Sequence, residues 1–542
     1  MTSIVQDLWQ APRDWTACLN CSHIGLISVG ILLSVAITRR YLTPLRTYPG
    51  PPLASITRLW KIIDVATART NVNSIELHRK YGPFVRIAPN EISVSSPQAA
   101  AEILAPGKGF TKTDFYSVFP PQEPKDIFTE TNEHVHAKKK RVAAVPYSLS
   151  KIVANSDAFT STMKVLISKF HDLSQSQGVI DLGEWLHYFA FDSLGEAVFS
   201  TNFGFLEAGR DIDDTLNTIK RAARYGSIVG QVPFLDRFLF SNWIMRALPF
   251  KRKDLLVASR ALAEVQQRKP FNQDKGNGRK DVLDHLVAGH LNSAASFTED
   301  DVSAIAIGAI FAGSDSTAST MQSFFHLVLQ HRRVYDRIVD ELQYHQISGN
   351  LTSDLITYAE AQQLRYFQAA LTETMRLRPA VGVNISREAP RDGVTIQGRQ
   401  FSEHTRFAVN AWAVHRDYEV FGEDAGPFRP ERWLEGDHER IRLMRKHLYQ
   451  VCYSTITEHF PSNLAYLFLQ FGAGSHVCLG RNLALLEMNR LLPQLLREFE
   501  MELVDPTREL KAEAVFFVIQ SGLEVRINQR ANQSIPRKTI GR

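Results

Sequence analysis

Residues Phe471-Gly472-Ala473-Gly474-Ser475-His476-Val477-Cys478-Leu479-Gly480-Arg481 form a glycine-punctuated loop that carries one cysteine and runs into an apolar, helix-like segment. The glycines permit backbone conformations that other residues rarely adopt, and they let a flat ligand approach the main chain closely. A cysteine just ahead of a helix has its thiolate favoured by backbone amides and by the helix dipole. The loop therefore predicts a presented thiolate; a buried cysteine in a tight turn is the structural alternative.

The spacing of Phe471, Gly474, Cys478 and Gly480 resembles the haem-binding loop of the cytochromes P-450. The resemblance implies that these residues bind haem b and that the Cys478 sulfur is the metal ligand, whose electron donation favours O–O cleavage. One departure lies two positions before the cysteine, where the family usually has a basic residue that pairs with a haem propionate. His476 stands there and is expected to be only partly charged near neutral pH.

Composition limits the class of protein. The chain has 542 residues, 44% hydrophobic and 22% charged, without an evident repeat or long linker, which predicts one large catalytic domain. A net charge of +5 gives no reason to expect nucleic-acid binding. The four cysteines, Cys18, Cys21, Cys452 and Cys478, are too few for a disulfide-stapled secreted domain and suit a reducing compartment.

The N-terminal region predicts a membrane anchor. No charged residue occurs from Trp15 to Thr38, which is long enough for a helix to cross a bilayer, and Arg39 and Arg40 follow. A cleaved signal peptide is the alternative, but its positive charges should precede the apolar run. We predict a lumenal N-terminus and single transmembrane helix over 1–40, a proline-rich hinge over 41–55, and a cytosolic catalytic domain over 56–542 at the endoplasmic reticulum membrane.

A long helix is predicted from the capping pair Thr298 and Asp301 to about Gln330. Its interior contains Ala312-Gly313-Ser314-Asp315-Ser316-Thr317, and an interior glycine costs about 1 kcal/mol relative to alanine. Close helix packing and a functional groove are both adequate reasons for that glycine. The segment resembles the oxygen-binding A-G-x-[DE]-T motif of the family, which implies catalytic roles for Asp315, Ser316 and Thr317 in proton delivery. Serine replaces the usual threonine and lacks the methyl group that restricts its rotamers, which favours poorer coupling.

Further elements follow the family order. Glu373 and Arg376 share a helix face, although such a pair alone means little. The later Pro430-Glu431-Arg432-Trp433 resembles the P-E-R-[FW] element, which implies that Glu373, Arg376 and Arg432 form a buried network supporting the haem loop. Arg387 falls where the family places a propionate-binding arginine, and His136 and Lys140 occupy the two places of its W-x-x-x-R motif.

Several local predictions complete the fold. Phe84–Ala88 and residues 91–95 alternate in polarity and predict a hairpin. Residues 514–519 and 523–527 predict a closing hairpin whose turn reaches the substrate pocket. The cluster from Phe234 to Phe240 is either core or a second membrane contact, and core is expected. An apolar pocket is expected from six residues: Phe311, Val381, Val383, Ile385, Phe516 and Phe517.

Residues 451–466 lengthen the connection between Arg432 and Cys478 beyond what is usual in the family. The segment has no clear amphipathic period and carries a single formal charge, at Glu458. A natural surface insertion and a translated intron both explain it.

The sequence thus predicts a mainly α-helical cytochrome P-450 fold with a small β region. The resemblance, which is nearest to fungal microsomal members of the pisatin demethylase and benzoate hydroxylase type, implies a monooxygenase of secondary metabolism or aromatic-compound oxidation. Its expected partners are a hydrophobic small molecule, membrane lipid and NADPH-cytochrome P-450 reductase, with cytochrome b5 as an additional electron donor. A haem-thiolate isomerase or dehydratase and a non-catalytic haem protein remain alternatives, against which the Asp315–Ser316 pair favours oxygen activation.

Overall fold

A computed structural model describes residues 21–119, 124–176, 178–239, 256–268, 281–448, 471–472 and 474–530. Most of this part of the chain is helical. In chain order the helices are α1 Cys21–Tyr41, α2 Pro52–Ile56, α3 Leu59–Ala66, α4 Thr70–Tyr81, α5 Pro97–Leu104, α6 Glu133–Ala143, α7 Leu149–Ala154, α8 Asp157–Ser176, α9 Leu182–Phe199, α10 Phe205–Ala208, α11 Thr215–Val229, α12 Phe234–Leu239, α13 Leu256–Gln267, α14 Val282–Ser293, α15 Glu299–Gln330, α16 Arg332–Ile347, α17 Tyr358–Ala361, α18 Arg365–Leu377, α19 Ala411–Val414, α20 Tyr418–Phe421, α21 His438–Leu448 and α22 Arg481–Glu498.

The strands form small sheets at the edges of the helical body. Their bounds are β1 Phe84–Ala88, β2 Glu91–Val94, β3 Thr111–Lys112, β4 Val179–Asp181, β5 Ile385–Glu388, β6 Val394–Ile396, β7 Arg399–Phe401, β8 Arg406–Val409, β9 Phe499–Leu503, β10 Lys511–Ala514, β11 Val518–Ser521 and β12 Glu524–Gln529. The largest sheet has the order β1-β2-β8-β5-β3, with β2 and β8 parallel. A second sheet has the order β4-β12-β9, and the pairs β6-β7 and β10-β11 complete the set.

Helix α15 packs lengthwise against α9 and organises the core. It begins where expected, because the Thr298 side chain accepts from the Asp301 backbone N–H while the Asp301 carboxylate accepts from the Thr298 backbone N–H. At Gly313 an added Cβ would lie 2.9 Å from Leu194 Cδ1 on α9. Close approach of the two helices is therefore one sufficient reason for the interior glycine.

The predicted N-terminal hairpin is confirmed, with β1 and β2 antiparallel and Phe84 opposite Val94. The predicted C-terminal hairpin is wrong in its pairing. Strand β11 pairs with β10, whereas β12 pairs with β4 and β9, because the turn comes at Phe516–Phe517, four residues earlier than the pattern suggested. That turn is nevertheless tied to the pocket region, since Val381 and Phe517 form a β-bridge.

Two rings of the apolar cluster on α12 lie at the surface. Phe234 and Phe238 on α12 are 61% and 67% exposed, so the expectation that this cluster belongs to the core is wrong for these two rings.

Helix α1 covers the second half of the predicted anchor. Within the described residues, none of the helices is long and apolar enough to cross a membrane, and the predicted anchor is unconfirmed. Residues 15–20 and the 451–466 segment lie outside the described residues.

Candidate active site

A cavity of about 280 Å³ lies between α15, the loop that precedes α22, and strand β5. It brings together most of the side chains predicted to bind a cofactor or substrate. The predicted residues in its lining are His136, Ser316, Thr317, Val381, Ile385, Arg387, Phe471, His476, Cys478, Gly480, Phe516 and Phe517. Segments more than 300 residues apart in sequence therefore meet in one place.

The cysteine loop is held in shape by its own backbone and by α6. The Cys478 backbone N–H donates to the Phe471 carbonyl at 2.7 Å. Gly474 has φ +61°, and a Cβ there would lie 2.3 Å from the Leu104 carbonyl oxygen, so no other residue fits without rearrangement. Lys140 Nζ donates to the carbonyls of Ser475 and Val477, both at 2.7 Å. Lys140 and Gly474 thus shape the loop and do not line the cavity.

The Cys478 thiol faces the cavity and is exposed to it. The protein around that cavity still removes much of its hydration, and burial raises the pKa of the thiol. Backbone N–H groups of Gly480 and Arg481, together with the charges of Lys140 and Arg481, lower the pKa in opposition. Bound metal deprotonates a coordinating thiol outright, so the amides and cations would then stabilise the sulfur anion.

Two imidazoles line the same cavity as the sulfur. His136 and His476 have ring centroids 4.5 Å apart, and His476 Nε2 lies 2.9 Å from Glu133 Oε2. Burial lowers the pKa of His476 to about 4 and that of His136 to about 3. The expectation of a partly charged His476 is therefore corrected: near pH 7 both rings are neutral, because desolvation opposes the charged form.

These groups fit a flat cofactor with anionic edge groups. The buried Nδ1 atoms of His136 and His476 have no hydrogen-bond partner in the described part of the chain. Arg387 donates through Nη1 to the Tyr116 hydroxyl at 2.8 Å and to the Ser386 carbonyl, while it too lines the cavity. A haem would supply carboxylate acceptors for these donors and iron for the Cys478 sulfur.

Helix α15 forms the other wall. The Ser316 hydroxyl donates to the Ala312 carbonyl at 2.8 Å, the i−4 bond that helical serines often form. Asp315 does not face the large cavity. Its Oδ1 lies 2.7 Å from His187 Nε2 on α9, and the residue lines a neighbouring cavity of about 80 Å³. Phe311 also lines this smaller cavity rather than the large one.

Sequence reasoning missed His187, which is the partner of Asp315. The residue lies 128 positions from Asp315, and its place on α9 has no motif of its own. The available signal was a polar residue within an otherwise buried, strongly apolar helix. Only the packing of α9 on α15 converts that signal into a specific contact.

The predicted charge network forms around Glu373, which is fully buried. Arg376 binds it through Nε and Nη2 at 2.9 and 2.8 Å, and Arg432 binds it through Nε at 2.8 Å. Burial alone would raise the pKa of Glu373, but the two guanidinium groups outweigh it and the net shift is downward. Among the described residues, Arg376 and Arg432 also bind carbonyls between His415 and Ala425, so the network clamps α18 to that segment.

Val383 does not line either cavity, in contrast to the prediction from its apolar neighbours. The chain bends at Val383, between the bridge residue Val381 and the start of β5 at Ile385. The regular alternation of a strand therefore does not apply there, and the Val383 side chain is buried elsewhere at 2% exposure.

A mainly helical fold that turns one cysteine sulfur, two imidazoles and an arginine toward a single cavity defines a haem-thiolate class of protein. The chain belongs to the cytochrome P450 family, whose model matches residues 49–525. It is a cytochrome P450 monooxygenase similar to fungal members of that family.

Three relatives illustrate the similarity. Cytochrome P450 monooxygenase cicH of Emericella nidulans is 33% identical over 490 residues, covering 89% of this chain and 93% of its own. Pisatin demethylase of Fusarium vanettenii is 29% identical, covering 94% and 95%. Cytochrome P450 monooxygenase mpaDE of Penicillium roqueforti is 32% identical over 94% of this chain, which spans only 58% of the length of that relative.

Proposed function

We propose that this monooxygenase inserts one atom of dioxygen into a small, mainly apolar organic molecule, with electrons that pass from NADPH through a separate reductase. The observation that carries the proposal is that Cys478 and the Ser316 hydroxyl line the same cavity. A sulfur ligand favours O–O cleavage at haem, and a positioned hydroxyl can relay the protons that this cleavage consumes.

When bound, haem b supplies the redox and oxygen chemistry. Cys478 would ligate its iron, and His136, His476 and Arg387 would donate hydrogen bonds to its propionates. Burial favours the neutral form of both rings. A neutral His476 that faces Glu133 through Nε2 has no second N–H, so its bond to a propionate would need the protonated ring, which the charge of the propionate would favour. Arg387 would supply a permanent positive charge.

Proton delivery is assigned to side chains on two helices. The His187 side chain is 13% exposed and its partner Asp315 is 3% exposed, so the pair connects a partly hydrated position with a buried one. The Ser316 hydroxyl can exchange its bond to the Ala312 carbonyl for one to a molecule in the large cavity. Asp315 lines the small cavity and Ser316 the large one, and Ala312 lies in both linings, so a proton held at Asp315 would reach the hydroxyl through water in these adjoining cavities.

The substrate class follows from the lining. Phe516, Phe517, Val381 and Ile385 belong to the lining of the large cavity, most of whose surface is apolar. Together with the fungal relatives, one of which is named a pisatin demethylase, this supports a role in fungal secondary metabolism or aromatic-compound oxidation. We place the enzyme at the endoplasmic reticulum membrane, where the exposed apolar side chains of α1 would find a hydrophobic partner.

The test is the ferrous carbon monoxide spectrum of the purified protein and of Cys478→Ala. The wild type should give the red-shifted adduct of thiolate-bound haem and Cys478→Ala should lack it, whereas the matched control Cys21→Ala, at the start of α1, should retain it. Product formed per NADPH and per dioxygen consumed then separates a monooxygenase from a haem-thiolate isomerase or dehydratase. An unchanged spectrum in Cys478→Ala would refute the assignment.

A further inference from the structure

The wall between the large and the small cavity contains a buried carboxylate, Asp126. It lines both cavities, and the residue is 7% exposed. Asp126 and Asp315 are the charged side chains in the lining of the small cavity, which is otherwise made of phenylalanine, isoleucine, alanine and glycine. Asp315 Oδ1 is bound to His187 on α9, whereas the Asp126 carboxylate is held by its own loop and lines the large cavity as well.

One oxygen of Asp126 is occupied by its own loop. Oδ1 accepts from the Thr129 backbone N–H and from the Thr129 hydroxyl, both at 2.8 Å, and the Asp126 backbone N–H donates back to the Thr129 hydroxyl oxygen at 3.1 Å. This reciprocal pair fixes the carboxylate, and it alone would explain an aspartate in a turn. It does not explain why Asp126 lies in the lining of both cavities.

The second oxygen, Oδ2, lies against helix α15 at Gly308. An added Cβ at Gly308 would come within 2.2 Å of Oδ2, so the glycine makes room for the carboxylate in the cavity wall. A glycine in the interior of a helix costs about 1 kcal/mol relative to alanine. Gly308 lowers the stability of α15, and its lack of a side chain is what admits the Asp126 carboxylate. This combination indicates that the position of the carboxylate in the cavity wall has a function.

No cation neutralises Asp126 within the part of the chain that the structure describes. The positive charge of Lys112 lowers the pKa of Asp126, but Lys112 makes no ion pair with it. Its Nζ donates instead to the carbonyls of Ile127, Phe128 and Glu130, at 2.7, 3.0 and 3.1 Å. Burial raises the pKa of Asp126 even though hydrogen bonds from Thr129 and from the Phe128 backbone N–H oppose the shift. A carboxylate can accept about four hydrogen bonds, so Asp126 keeps capacity for a donor from a ligand, and burial makes that bond valuable.

We infer that Asp126 Oδ2 accepts a hydrogen bond from the substrate, which is a mainly apolar molecule with an uncharged hydroxyl or N–H donor at the end that enters the small cavity. An uncharged donor is favoured over a cation because Lys112 lines the adjoining large cavity and repels positive charge in its protonated form. Burial lowers the pKa of Lys112 to about 7 and leaves that form only partly populated near pH 7. The inference rests on the proposed function, since it names the substrate class of the same site.

The experiment compares ligands that differ in a single donor. The probes are 2-naphthol and 2-methoxynaphthalene, with trimethyl(2-naphthyl)ammonium as a cation that cannot donate, and binding is followed by the absorbance shift of the ferric holoenzyme and by thermal shift. The wild type should bind the naphthol at least about tenfold more tightly than the ether, as one hydrogen bond to a charged acceptor predicts.

Two variants separate recognition from loop structure. Asp126→Asn keeps the Oδ1 acceptor for Thr129 and replaces Oδ2 by a donor, so the fold should persist while the preference for naphthol disappears or reverses. Gly308→Ala keeps the carboxylate but displaces it, and it should reduce the preference without removing an acidic group.

Three results would overturn the inference: equal binding of naphthol and ether by the wild type, an unchanged preference in Asp126→Asn, or tighter binding of the ammonium probe than of naphthol. Failure of the proposed function is distinguishable, because it appears as a missing thiolate carbon monoxide adduct. The ligand preference remains measurable by thermal shift in that case.

Discussion

The pairing of His187 with Asp315 changes how the acidic residue of α15 is understood. The sequence motif places Asp315 next to the Ser316 hydroxyl, but the structure turns its carboxylate toward α9 and away from the large cavity. Motif spacing identifies residues on one helix and cannot identify the side chain that faces them from another helix. The function of Asp315 therefore depends on a residue without any motif.

We predict that His187→Gln lowers coupling without loss of haem. Glutamine can keep a hydrogen bond to Asp315 but cannot transfer a proton, so product per NADPH should fall by several-fold, within the roughly hundredfold range of positioned proton transfer. Product yield, NADPH consumption and the solvent deuterium isotope effect are the measurements. His171→Gln is the matched control. His171 on α8 also pairs with a carboxylate, at 3.2 Å from Glu498 on α22, but it does not line either cavity. Equal coupling in wild type and His187→Gln would contradict the relay.

A second residue-scale prediction concerns acid stability and His415. This ring is fully buried and donates through Nδ1 to the Arg376 carbonyl at 3.2 Å. Burial, and then the charge of Arg376, lower its pKa to about 3. The unfolded chain has a histidine pKa of about 6.5 and binds the proton first as the pH falls, so the free energy of unfolding decreases between about pH 6.5 and 3.

At pH 5 the loss attributable to His415 is roughly 2 kcal/mol, at about 1.4 kcal/mol per pH unit. Urea unfolding at pH 7.5 and pH 5 measures it, with His415→Asn as the comparison because an amide can still donate to the Arg376 carbonyl. The variant should lose that much less stability between the two pH values. Parallel losses in the two proteins would show that His415 does not carry the effect.

At the scale of elements, the sequence predicted those that local chemistry determines. The start of α15 follows from its capping box, and the β1–β2 hairpin follows from alternation around a short turn. The C-terminal pairing was mispredicted because 514–519 and 523–527 are both strand-like, and nothing local indicates that β12 prefers β4, which lies more than 340 residues earlier. Long-range pairing overrides neighbour pairing there.

Helix α1 carries the element-scale prediction. Its apolar side chains are widely exposed, with Leu26 at 70% and Leu32 at 68%. Its C-terminal end is held to the domain, because the Arg39 carbonyl accepts from Arg86 and the Arg39 side chain donates to the Ile56 carbonyl. Removal of residues 1–38 keeps these two bonds and should release most of the protein from a membrane fraction, with an unchanged carbon monoxide spectrum. Complete retention would identify Phe234 and Phe238 on α12 as a sufficient contact, and Phe238→Ser in the truncated chain would then test it.

For the molecule as a whole, the predicted site residues came from motif order, and most of them meet in one cavity. The sequence could not predict the orientation of individual side chains. Lys140 binds the loop carbonyls, Val383 is buried in the core, and Asp315 binds His187 on α9. Asp126 was not predicted at all, because its significance depends on a glycine 182 positions later. Residue identity constrains chemistry, whereas side-chain orientation depends on packing between distant elements.

The whole-molecule prediction concerns residues 451–466, which lie between α21 and the cysteine loop. The elements on both sides of this segment contact α5. Helix α21 packs against it, and Gly474 lies against the Leu104 carbonyl at its C-terminal end. Helix α5 has eight residues and is about 12 Å long, so both flanks of the segment contact one short helix. Deletion of 451–466 leaves six linking residues, 449–450 and 467–470, which can span about 20 Å.

The shortened chain should therefore fold with Met444 and Leu448 of α21 still packed against Trp433. The Cys478 backbone N–H should still donate its hydrogen bond to the Phe471 carbonyl. Shortening a loop changes closure entropy only slowly with length, so the expected effect on unfolding is below about 1 kcal/mol. Haem content, the carbon monoxide spectrum and the melting temperature of the deletion variant measure this. Loss of haem would show that the segment is a required part of the enzyme, whereas normal haem content joined to a mature transcript without these codons would identify it as translated intron.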